Sequence, residues 1–230
     1  MRETHHRQAP ETRERILDAA EGLFMAHGFE ATSMRMITST AHVNLAAVNY
    51  HFGTKDALIH EVFRRRLHDL NRRRLAALSN AELAANGAPV KPSRIVEAFF
   101  GESLKMAADT EHGGAVFMRL LGRTYTEPNE FVRKFLAEEY SEVVERFMGA
   151  LYRALPDVPR EEILWRFHFM MGAMSFAIAG TDALQLFAGE FDDKDPAKLM
   201  ERLMSFLLGG LRGPLPNLQA PARDDQRDAA

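Results

Sequence analysis

Apolar residues recur every three or four positions along most of this 230-residue chain, with polar residues between them. The first such stripe predicts a helix over residues 12–27, which Gly28 ends. Its members are Ile16, Ala19, Ala20, Leu23 and Phe24. No segment alternates with the two-residue period of a strand, and no unit repeats at a fixed spacing. The pattern therefore predicts an all-α protein.

Two short helices around a turn are predicted between residues 32 and 52. The first begins at Thr32 or Ser33, both common N-cap residues, and its apolar stripe contains Met34, Ile37 and Ala41. After a break at residues 42–44, the second helix turns Leu45 and Val48 inward. Its outward face would then carry Asn44, Ala46, Ala47, Asn49 and Tyr50. Phe29 and Phe52 are the expected aromatic core residues of a three-helix unit.

The outward face of the second helix suits a DNA major groove. Small residues let a helix approach the base edges, Asn can pair with adenine, and Ala can pack on a thymine methyl group. We expect Asn44, Ala46, Ala47 and Asn49 at base edges. The residues expected at phosphates are Ser33, Arg35, Tyr50, His51 and Lys55. Of these, Lys55 lies in the first turn of the next helix, where free backbone N–H groups favour a phosphate oxygen.

These residues resemble the DNA-binding head of the TetR-type transcriptional regulators, over residues 11–75. That head has a threonine-led helix, a short turn, a tyrosine-x-phenylalanine close and then a lysine, here Thr32, Tyr50-His51-Phe52 and Lys55. The segment VNLAAVNYHFGTKDALI is most similar to the corresponding segment of the branch that responds to long-chain fatty acids or their acyl thioesters. The family turn usually has glycine where His42 stands, so either His42 adopts the αL conformation or the turn differs.

Further helices are predicted beyond the head. The predicted spans are residues 54–83, 93–109, a helix through Val116 that ends before Pro128, then 128–155, 160–187 and 196–211. The helix from residue 160 is apolar nearly all round, so we expect it to be buried on more than one side. The predicted domains are a flexible arm (1–10), a helix-turn-helix head (11–54), an effector-binding and dimerisation bundle (55–212) and a disordered tail (213–230).

Composition limits the possible environments. There is no cysteine, so disulfides and thiolate metal sites are excluded, and no window reaches the ~18 apolar residues of a membrane span. With no export signal visible at the amino terminus, we expect a cytoplasmic protein. Residues 1–74 hold 12 Lys+Arg against 9 Asp+Glu, whereas the remainder is acidic, which favours a polyanion partner at one end. The arginine triplets at 64–66 and 72–74 are either a solvated helix face or phosphate contacts.

No catalytic pattern is present in the sequence. Zinc-protease, phosphate-loop, dinucleotide-binding and nucleophile-elbow motifs are all missing, and no metal site or cofactor is expected. The pair His5-His6 is better explained as part of a polar arm. Ser103 and Lys105 lack the spacing of a serine–lysine nucleophile. We therefore expect a binding protein rather than an enzyme.

The predicted bundle is rich in large, adaptable apolar side chains, which suit an irregular ligand cavity. Arg119, Arg123 and His168 are candidate partners for a ligand carboxylate. The full set of expected ligand-binding residues is Phe99, Phe100, Ser103, Phe117, Met118, Arg119, Arg123, Phe147, Trp165, His168, Phe169, Met170 and Met174. The alternative is that the apolar members are ordinary core residues, and that the two arginines pair with Glu127 or Glu130 at the surface.

Small residues in the last two long helices indicate a homodimer, because they allow close helix approach. The expected interface residues are Gly172, Ala173, Ala177, Met204, Leu207 and Leu208. The combined prediction is a repressor that binds a palindromic operator as a dimer and is released by a long-chain fatty acid or acyl-CoA. One alternative is a multidrug-type sensor that represses an efflux gene. Another is a helical small-molecule-binding or enzymatic protein whose basic head is incidental.

Overall fold

The computed structural model describes residues 3–125, 130–179 and 195–216, and every regular element in these ranges is helical. The elements are α1 (Glu3–His27), α2 (Met34–Ala41), α3 (Leu45–Phe52), α4 (Lys55–Ala84), α5 (Pro92–Val96), a π-helical turn (Glu97–Gly101), α6 (Glu102–Ala108), α7 (Gly114–Thr124), α8 (Glu130–Ala154), α9 (Arg160–Ala179) and α10 (Pro196–Arg212). The all-α prediction is confirmed, with α1–α3 forming a head and α4–α10 a larger body.

Most helix boundaries agree with the apolar pattern to within a few residues, but α1 does not. It begins at Glu3 and includes Pro10, whereas the sequence predicts a flexible arm over residues 1–10. Proline normally interrupts a helix because it lacks an N–H, and the polar residues around it carry no apolar stripe. The pattern therefore begins only near residue 12. The predicted start of α8 at residue 128 or 129, the extension of α9 to residue 187 and most of the predicted tail lie outside the described residues.

An aromatic core joins the head helices to α4. Phe24 of α1 lies 5.4 Å from Phe29 between ring centroids, and Phe29 lies 5.9 Å from Phe63 of α4. Val48 and Phe52 bring the inner face of α3 into the same core. Phe29 and Phe52 are both buried, as the sequence predicts. The head is therefore a packed three-helix unit held on the first turns of α4.

Ion pairs fix α4 against α1 on another side of the head. Arg65 donates hydrogen bonds to Glu14, Asp18 and Glu21 at 3.0, 2.8 and 2.8 Å, and Arg66 contacts Glu21 at 3.4 Å. Glu21 is buried, so these two guanidinium groups compensate a charge that water does not reach. The joint between α1 and α4 is consequently specified by charge as well as by packing.

The body interior is built around aromatic rings. The Phe99 ring makes edge-to-face contacts with Phe100, Phe147 and Phe167 at 4.9, 5.1 and 4.9 Å between centroids. Phe99 and Phe100 lie on the π-helical turn between α5 and α6, and both are buried. A π turn takes up one extra residue, so it changes which side chains of the following helix face inward. The sequence predicts only a single regular helix here.

α9 packs against α7, α10 and, less extensively, α8. Trp165, Phe169 and Phe176 on its other side are 52%, 64% and 69% exposed, and Gly172 between them is also exposed. The spacing of these four residues places them along one face of the helix, which we call the outer strip of α9. The sequence predicts burial of α9 on more than one side; the helix does contact three others, but its outer strip is exposed in the single protomer.

Candidate nucleic-acid interface and ligand site

The turn between α2 and α3 is set by local hydrogen bonds. Ser33 caps α2, since its hydroxyl oxygen accepts a 3.2 Å hydrogen bond from the Met36 N–H. At the other end, His42 adopts the αL conformation with φ 54° and ψ 48°, which is one of the two outcomes predicted for this position. Its N–H donates to the Ser39 carbonyl, and the Val43 N–H donates to the Thr38 carbonyl at 3.0 Å. These bonds close α2 and direct the chain into α3.

Thr32 anchors the same segment to α1. Its side chain is fully buried, and its hydroxyl donates to the Gly28 and Leu23 carbonyls, 2.8 and 3.1 Å away. Those carbonyls lie at the C-terminal end of α1, where helix carbonyls lack intrahelical partners. Thr32 is thus a structural residue, and the N-cap role falls to Ser33.

The outward face of α3 is exposed and available to a groove. Ala46, Asn49 and Tyr50 are all exposed, with Tyr50 at 84%, and Ala47 is half-buried. Val48 on the opposite side is fully buried, which fixes the rotation of the helix. The structure therefore brings together most of the residues that the sequence assigns to base edges.

Two residues at the start of α3 differ from the prediction. The Asn44 side-chain oxygen accepts a 2.8 Å hydrogen bond from the Ala47 N–H, so it caps the helix and leaves only the amide NH₂ to face outward. Leu45 is 51% exposed rather than inward, because the first residue of the helix precedes the face that Val48 buries. Leu45 is therefore only partly covered by the core, although it lies three positions before Val48 on the same side of the helix.

The residues expected at phosphates surround α3. Ser33 and Arg35 are exposed on α2, Tyr50 is exposed, and His51 is half-buried. Thr54 caps α4 by accepting a 3.1 Å hydrogen bond from the Ala57 N–H, and Gly53 reverses the chain with φ 73°. Lys55 follows in the first turn, with its Nζ 3.4 Å from the Glu30 carbonyl. The cation and the open N-terminus of α4 therefore lie side by side.

The arginine triplets of α4 have internal partners, which corrects their possible role as phosphate contacts. Arg65 and Arg66 bind acidic residues of α1, as described above. Arg64 pairs with Glu61 and contacts Glu139, and Arg72 and Arg73 both pair with Asp69. Arg74 is fully buried in the body. Arg64, Arg72 and Arg73 are exposed and pair within α4, so they form a solvated helix face, which is the other role considered for them.

The residues predicted to bind a ligand separate into an inner and an outer group. The buried members are Phe99, Phe100, Ser103, Phe117, Met118, Phe147, Met170 and Met174. The exposed members are Arg119, Trp165, His168 and Phe169. Trp165 and Phe169 belong to the outer strip of α9, and their rings contact each other and His168. These four exposed residues do not face the body interior, which corrects that part of the prediction.

Arg123 occupies a third kind of position. Its guanidinium donates a 2.9 Å hydrogen bond to the Met25 carbonyl near the end of α1. The group therefore contacts the head rather than the interior of the body.

The residues predicted to form the dimer interface also differ in their exposure. Gly172 is exposed on the outer strip, and Ala173 and Ala177 are half-buried beside it. On α10, Leu207 is buried within the protomer, while Met204 and Leu208 line a groove. Leu207 therefore does not belong to a surface interface. Phe206, which the sequence analysis did not select, is 68% exposed.

A groove of about 960 Å³ runs between α4, the α5–α6 segment and α10. Ala77, Ala81 and Gly101 line it on one side, and Met200, Met204 and Leu208 on the other. None of the residues that the sequence assigns to the ligand lines this groove. The sequence feature that corresponds to this groove is the series of alanines along the second half of α4. Such a series also occurs on ordinary surface helices, so it did not identify the groove.

Near the far end of α7, Tyr125 turns its hydroxyl inward beside Tyr140 and Arg74. Burial, followed by the neighbouring Tyr140, raises the pKa of Tyr125 well above its usual range, and Arg74 opposes this shift. The Tyr140 hydroxyl is buried and has no hydrogen-bond partner among the described residues. The apolar pattern of the body did not predict this polar cluster.

Within the described ranges, no helix combines the length and apolar character needed to cross a membrane.

Two family models match the chain. The model for bacterial regulatory proteins of the tetR family matches residues 16–62. The model for the tetracyclin repressor-like C-terminal domain matches residues 97–210. Among curated proteins, no sequence matches this chain.

Solved structures share the fold at low sequence identity. The fatty acid degradation regulator FadR from Bacillus halodurans matches with TM-score 0.62 and 16% identity, covering 88% of this chain and 97% of its own. The ketosteroid transcriptional regulator KstR2 of Mycobacterium tuberculosis matches with TM-score 0.59 and 16% identity, covering 86% and 93%. NalD, the secondary repressor of the MexAB-OprM multidrug efflux pump in Pseudomonas aeruginosa, matches with TM-score 0.55 and 20% identity, covering 88% and 96%.

Proposed function

The chain belongs to the TetR family of bacterial regulatory proteins, and we propose that it is a repressor that binds an inverted-repeat operator as a homodimer and is released by an apolar effector. Regulators of this family bind DNA operators and small-molecule effectors, typically as dimers. Since its target is the chromosome, the proposed location is the cytoplasm. The details below are specific to this chain.

The observation that carries the proposal is the capped, outward-facing α3. Asn49 and Ala46 are exposed on a short helix whose opposite side is fixed in the core by Val48. A helix with small and amide side chains on its free face fits a major groove, where Asn pairs with adenine and Ala packs on thymine methyl groups. Lys55 and the N-terminus of α4 would hold the flanking phosphate.

The outer strip of α9 supports the homodimer. Trp165, Phe169 and Phe176 form an apolar surface along a single helix face, and Gly172 between them permits close approach of a second helix. Water-exposed strips of this kind mark interaction surfaces. A two-fold axis through the strip relates two heads, and two heads related in this way read inverted half-sites in successive major grooves.

The effector is proposed to be an elongated apolar molecule such as a long-chain fatty acid or its acyl-CoA. Two features support this effector class: the methionine and phenylalanine content of the body interior, and the sequence similarity of the head to the fatty-acid-responsive branch. FadR, one of the structures with this fold, is a fatty acid degradation regulator. The competing candidate is a multidrug-type sensor, because NalD represses an efflux pump and has the same fold.

Release requires that DNA and effector favour different arrangements of the two heads. We expect α4 to transmit the change from the body to the head, because its first turns pack against the head and its last turns line the body groove. The coupling must then be reciprocal. If effector lowers the affinity for operator by some factor, operator lowers the affinity for effector by the same factor. Saturating operator should lower effector affinity by that same factor.

A pull-down of sheared genomic DNA tests the proposal. The wild-type protein should enrich a few fragments that share an inverted repeat, and Val48→Asp, which disrupts the α3 core, should enrich none. Uniform recovery of all fragments would leave only the rival proposal of a small-molecule-binding protein with an incidental basic head. Adding either fatty acids or aromatic drugs to the bound fragments then separates the two effector classes.

A further inference from the structure

Arg74 is a fully buried cation that has no acidic partner among the described residues. Its neighbours on α4, Arg72 and Arg73, both pair with Asp69, and Arg65 pairs with three carboxylates. Burying a charge costs free energy unless an opposite charge or a complete set of hydrogen bonds compensates it. Unlike the other arginines of α4, Arg74 therefore has no carboxylate partner in the described part of the chain.

The partners that Arg74 does have are neutral. Its guanidinium donates to the Phe99 carbonyl at 3.2 Å, to the Asn71 side-chain oxygen at 3.1 Å and to the Ser103 hydroxyl at 2.6 Å. It also lies 3.9 Å from the centre of the Phe99 ring, in a cation–π contact. A guanidinium has five N–H donors, so these three bonds leave donors for a further acceptor.

Two neighbouring features fit an anion at this point. The Tyr140 hydroxyl is buried without a hydrogen-bond partner, and its ring lies 5.7 Å from the Arg74 guanidinium. The Phe99 carbonyl that orients Arg74 belongs to the π-helical turn, and single π turns inside α-helices occur frequently at functional sites. One acceptor placed between Arg74 and Tyr140 would satisfy both.

The groove between α4 and α10 approaches this cluster. Ala77 lines the groove and lies three positions after Arg74, so the two share a helix face and are separated by about 5 Å along the axis. From Ala77 to Ala84, the groove follows α4 for about 10 Å. Small side chains on α4 and Met200, Met204 and Leu208 of α10 form its apolar lining, while charged residues such as Arg94, Glu97 and Lys105 line the α5–α6 side.

Two of the three cations that line the groove are paired with carboxylates, and the third, Lys91, is exposed and therefore solvated by water. Arg94 pairs with Glu97 at 2.7 Å, and Lys105 pairs with Glu102 at 2.6 Å. Both pairs are exposed or partly exposed, where ion pairs contribute little. Among the described residues, the buried cation that lacks a negative charge is therefore Arg74, which does not itself line the groove but lies about one turn before Ala77 on α4.

We propose that this groove binds an unbranched apolar chain with one terminal carboxylate, which Arg74 and Tyr140 bind at its inner end. The proposal rests on the effector-binding role proposed above and assigns its site and its chemical class. A free acid is favoured over a thioester, because a thioester lacks the charge and its nucleotide carries several phosphates that one buried cation cannot compensate.

Equilibrium dialysis with dodecanoate and 1-dodecanol tests the charge requirement, since the two probes differ at the head group alone. Wild-type protein should bind dodecanoate at least tenfold more tightly than dodecanol. Arg74→Met should remove this preference while dodecanol binding is retained. Arg72→Met, which removes an exposed arginine from the same helix, should leave the preference intact.

Tyr140→Phe keeps the test decisive if Arg74→Met does not fold. Removing a hydroxyl that has no partner should leave the unliganded protein as stable as before or more stable, yet it should reduce the dodecanoate preference several-fold. Filling the groove with Ala81→Trp should weaken both probes, whereas Ala76→Trp on the exposed side of α4 should weaken neither.

Equal binding of the two probes to wild type would overturn the inference, as would an unchanged preference in Tyr140→Phe or in folded Arg74→Met. Operator binding is measured on the same samples. If the protein binds its operator but shows no carboxylate preference, the proposed ligand site is wrong and the proposed regulatory function still stands. If it prefers dodecanoate but enriches no operator, the ligand site remains and the proposed function fails.

Discussion

Arg123 of α7 donates a hydrogen bond of 2.9 Å to the main-chain carbonyl of Met25, near the C-terminal end of α1. The last carbonyls of a helix lack intrahelical partners and carry partial negative charge, so a cation stabilises them. The bond connects a body helix to a head helix directly, beside the covalent connection through α4. Phe117 and Met118 on α7 are buried in the body, and α7 also packs against α1, so Arg123 lies at a joint between the body core and the head.

Arg123→Met is predicted to weaken the coupling between effector and operator. The substitution removes the donor to Met25, and a hydrogen bond from a charged group contributes about 1.5–3 kcal/mol. The factor by which effector lowers operator affinity should therefore fall several-fold, with effector affinity itself little changed. Fluorescence anisotropy of a labelled operator, with and without effector, measures this factor. Arg119→Met on the exposed side of α7 is the control, and an equal effect there would contradict the assignment.

Asn44 is predicted to act first as a helix cap. Asn44→Ala should destabilise the protein by about 1 kcal/mol, because the Ala47 N–H loses its acceptor. Asn44→Asp keeps the acceptor, so its stability in urea should match that of wild type. Its operator affinity should nevertheless drop, because the new charge faces phosphates. Wild-type stability of Asn44→Ala would show that the cap contributes nothing.

The outer strip of α9 is predicted to form the dimer interface. Phe169→Asp places a charge on the strip and should shift the protein from twice the 26.0 kDa protomer mass to the protomer mass in light scattering at micromolar concentration. Leu83→Asp alters an equally exposed apolar residue on α4 and should leave the dimer intact. A stable 26.0 kDa species in the wild type would exclude the dimer.

His60 connects α4 with the start of α8 through ring stacking. Its imidazole lies between Phe131 and Phe135, 4.4 and 4.2 Å from their ring centroids, and its Nε2 is buried without a partner. Burial, and then the nearby Arg64, lower the pKa of His60 below its ordinary value of 6.5. The acidic groups that oppose this shift are Asp56 on α4 and Glu138 and Glu139 on α8.

The lowered pKa of His60 predicts a loss of stability in mild acid. Above pH 6.5 the ring is neutral in both folded and unfolded chains, and its contribution is fully present. As the pH falls from 6.5 towards the lower folded pKa, only the unfolded chain takes up the proton, so folding weakens. His60→Phe keeps the stacking but removes the titration. Urea unfolding at pH 7.5 and 5.5 should show a smaller loss for this variant than for wild type, and His68→Phe on the exposed side of α4 should behave as wild type.

The fold was predictable from sequence because most of its helices bury one regular apolar stripe. The caps at Ser33 and Thr54 and the αL residue at His42 follow from local chemistry that a few residues determine. The π-helical turn at Glu97–Gly101 was not predictable in this way, because its apolar residues also satisfy an ordinary helical period. Its effect, a carbonyl turned to Arg74, depends on contacts between residues 25 positions apart.

The sites were predictable only where local pattern sets exposure. The prediction for the exposed face of α3 was largely correct because Val48 and Phe52 fix the rotation of the helix, although Leu45 at the helix start is half exposed rather than buried. On α9, aromatic and methionine residues surround the helix, so composition cannot separate Trp165 and Phe169 from Met170 and Met174. Arg74 is one of three consecutive arginines in the sequence, and only the packing of α4 against α6 and α8 distinguishes it.

The most direct test of the account is titration of a labelled operator, recovered from the genomic pull-down, by fluorescence anisotropy at several salt concentrations. One dimer should bind each inverted repeat, and scrambling one half-site should cost at least tenfold in affinity. Lys55→Ala should weaken binding to every sequence and reduce the salt slope by about 0.9 for each lost phosphate contact, whereas Asn49→Ala should change the preferred sequence. Equal affinity for intact and scrambled repeats, with a sequence preference unaffected by Asn49→Ala, would contradict the account.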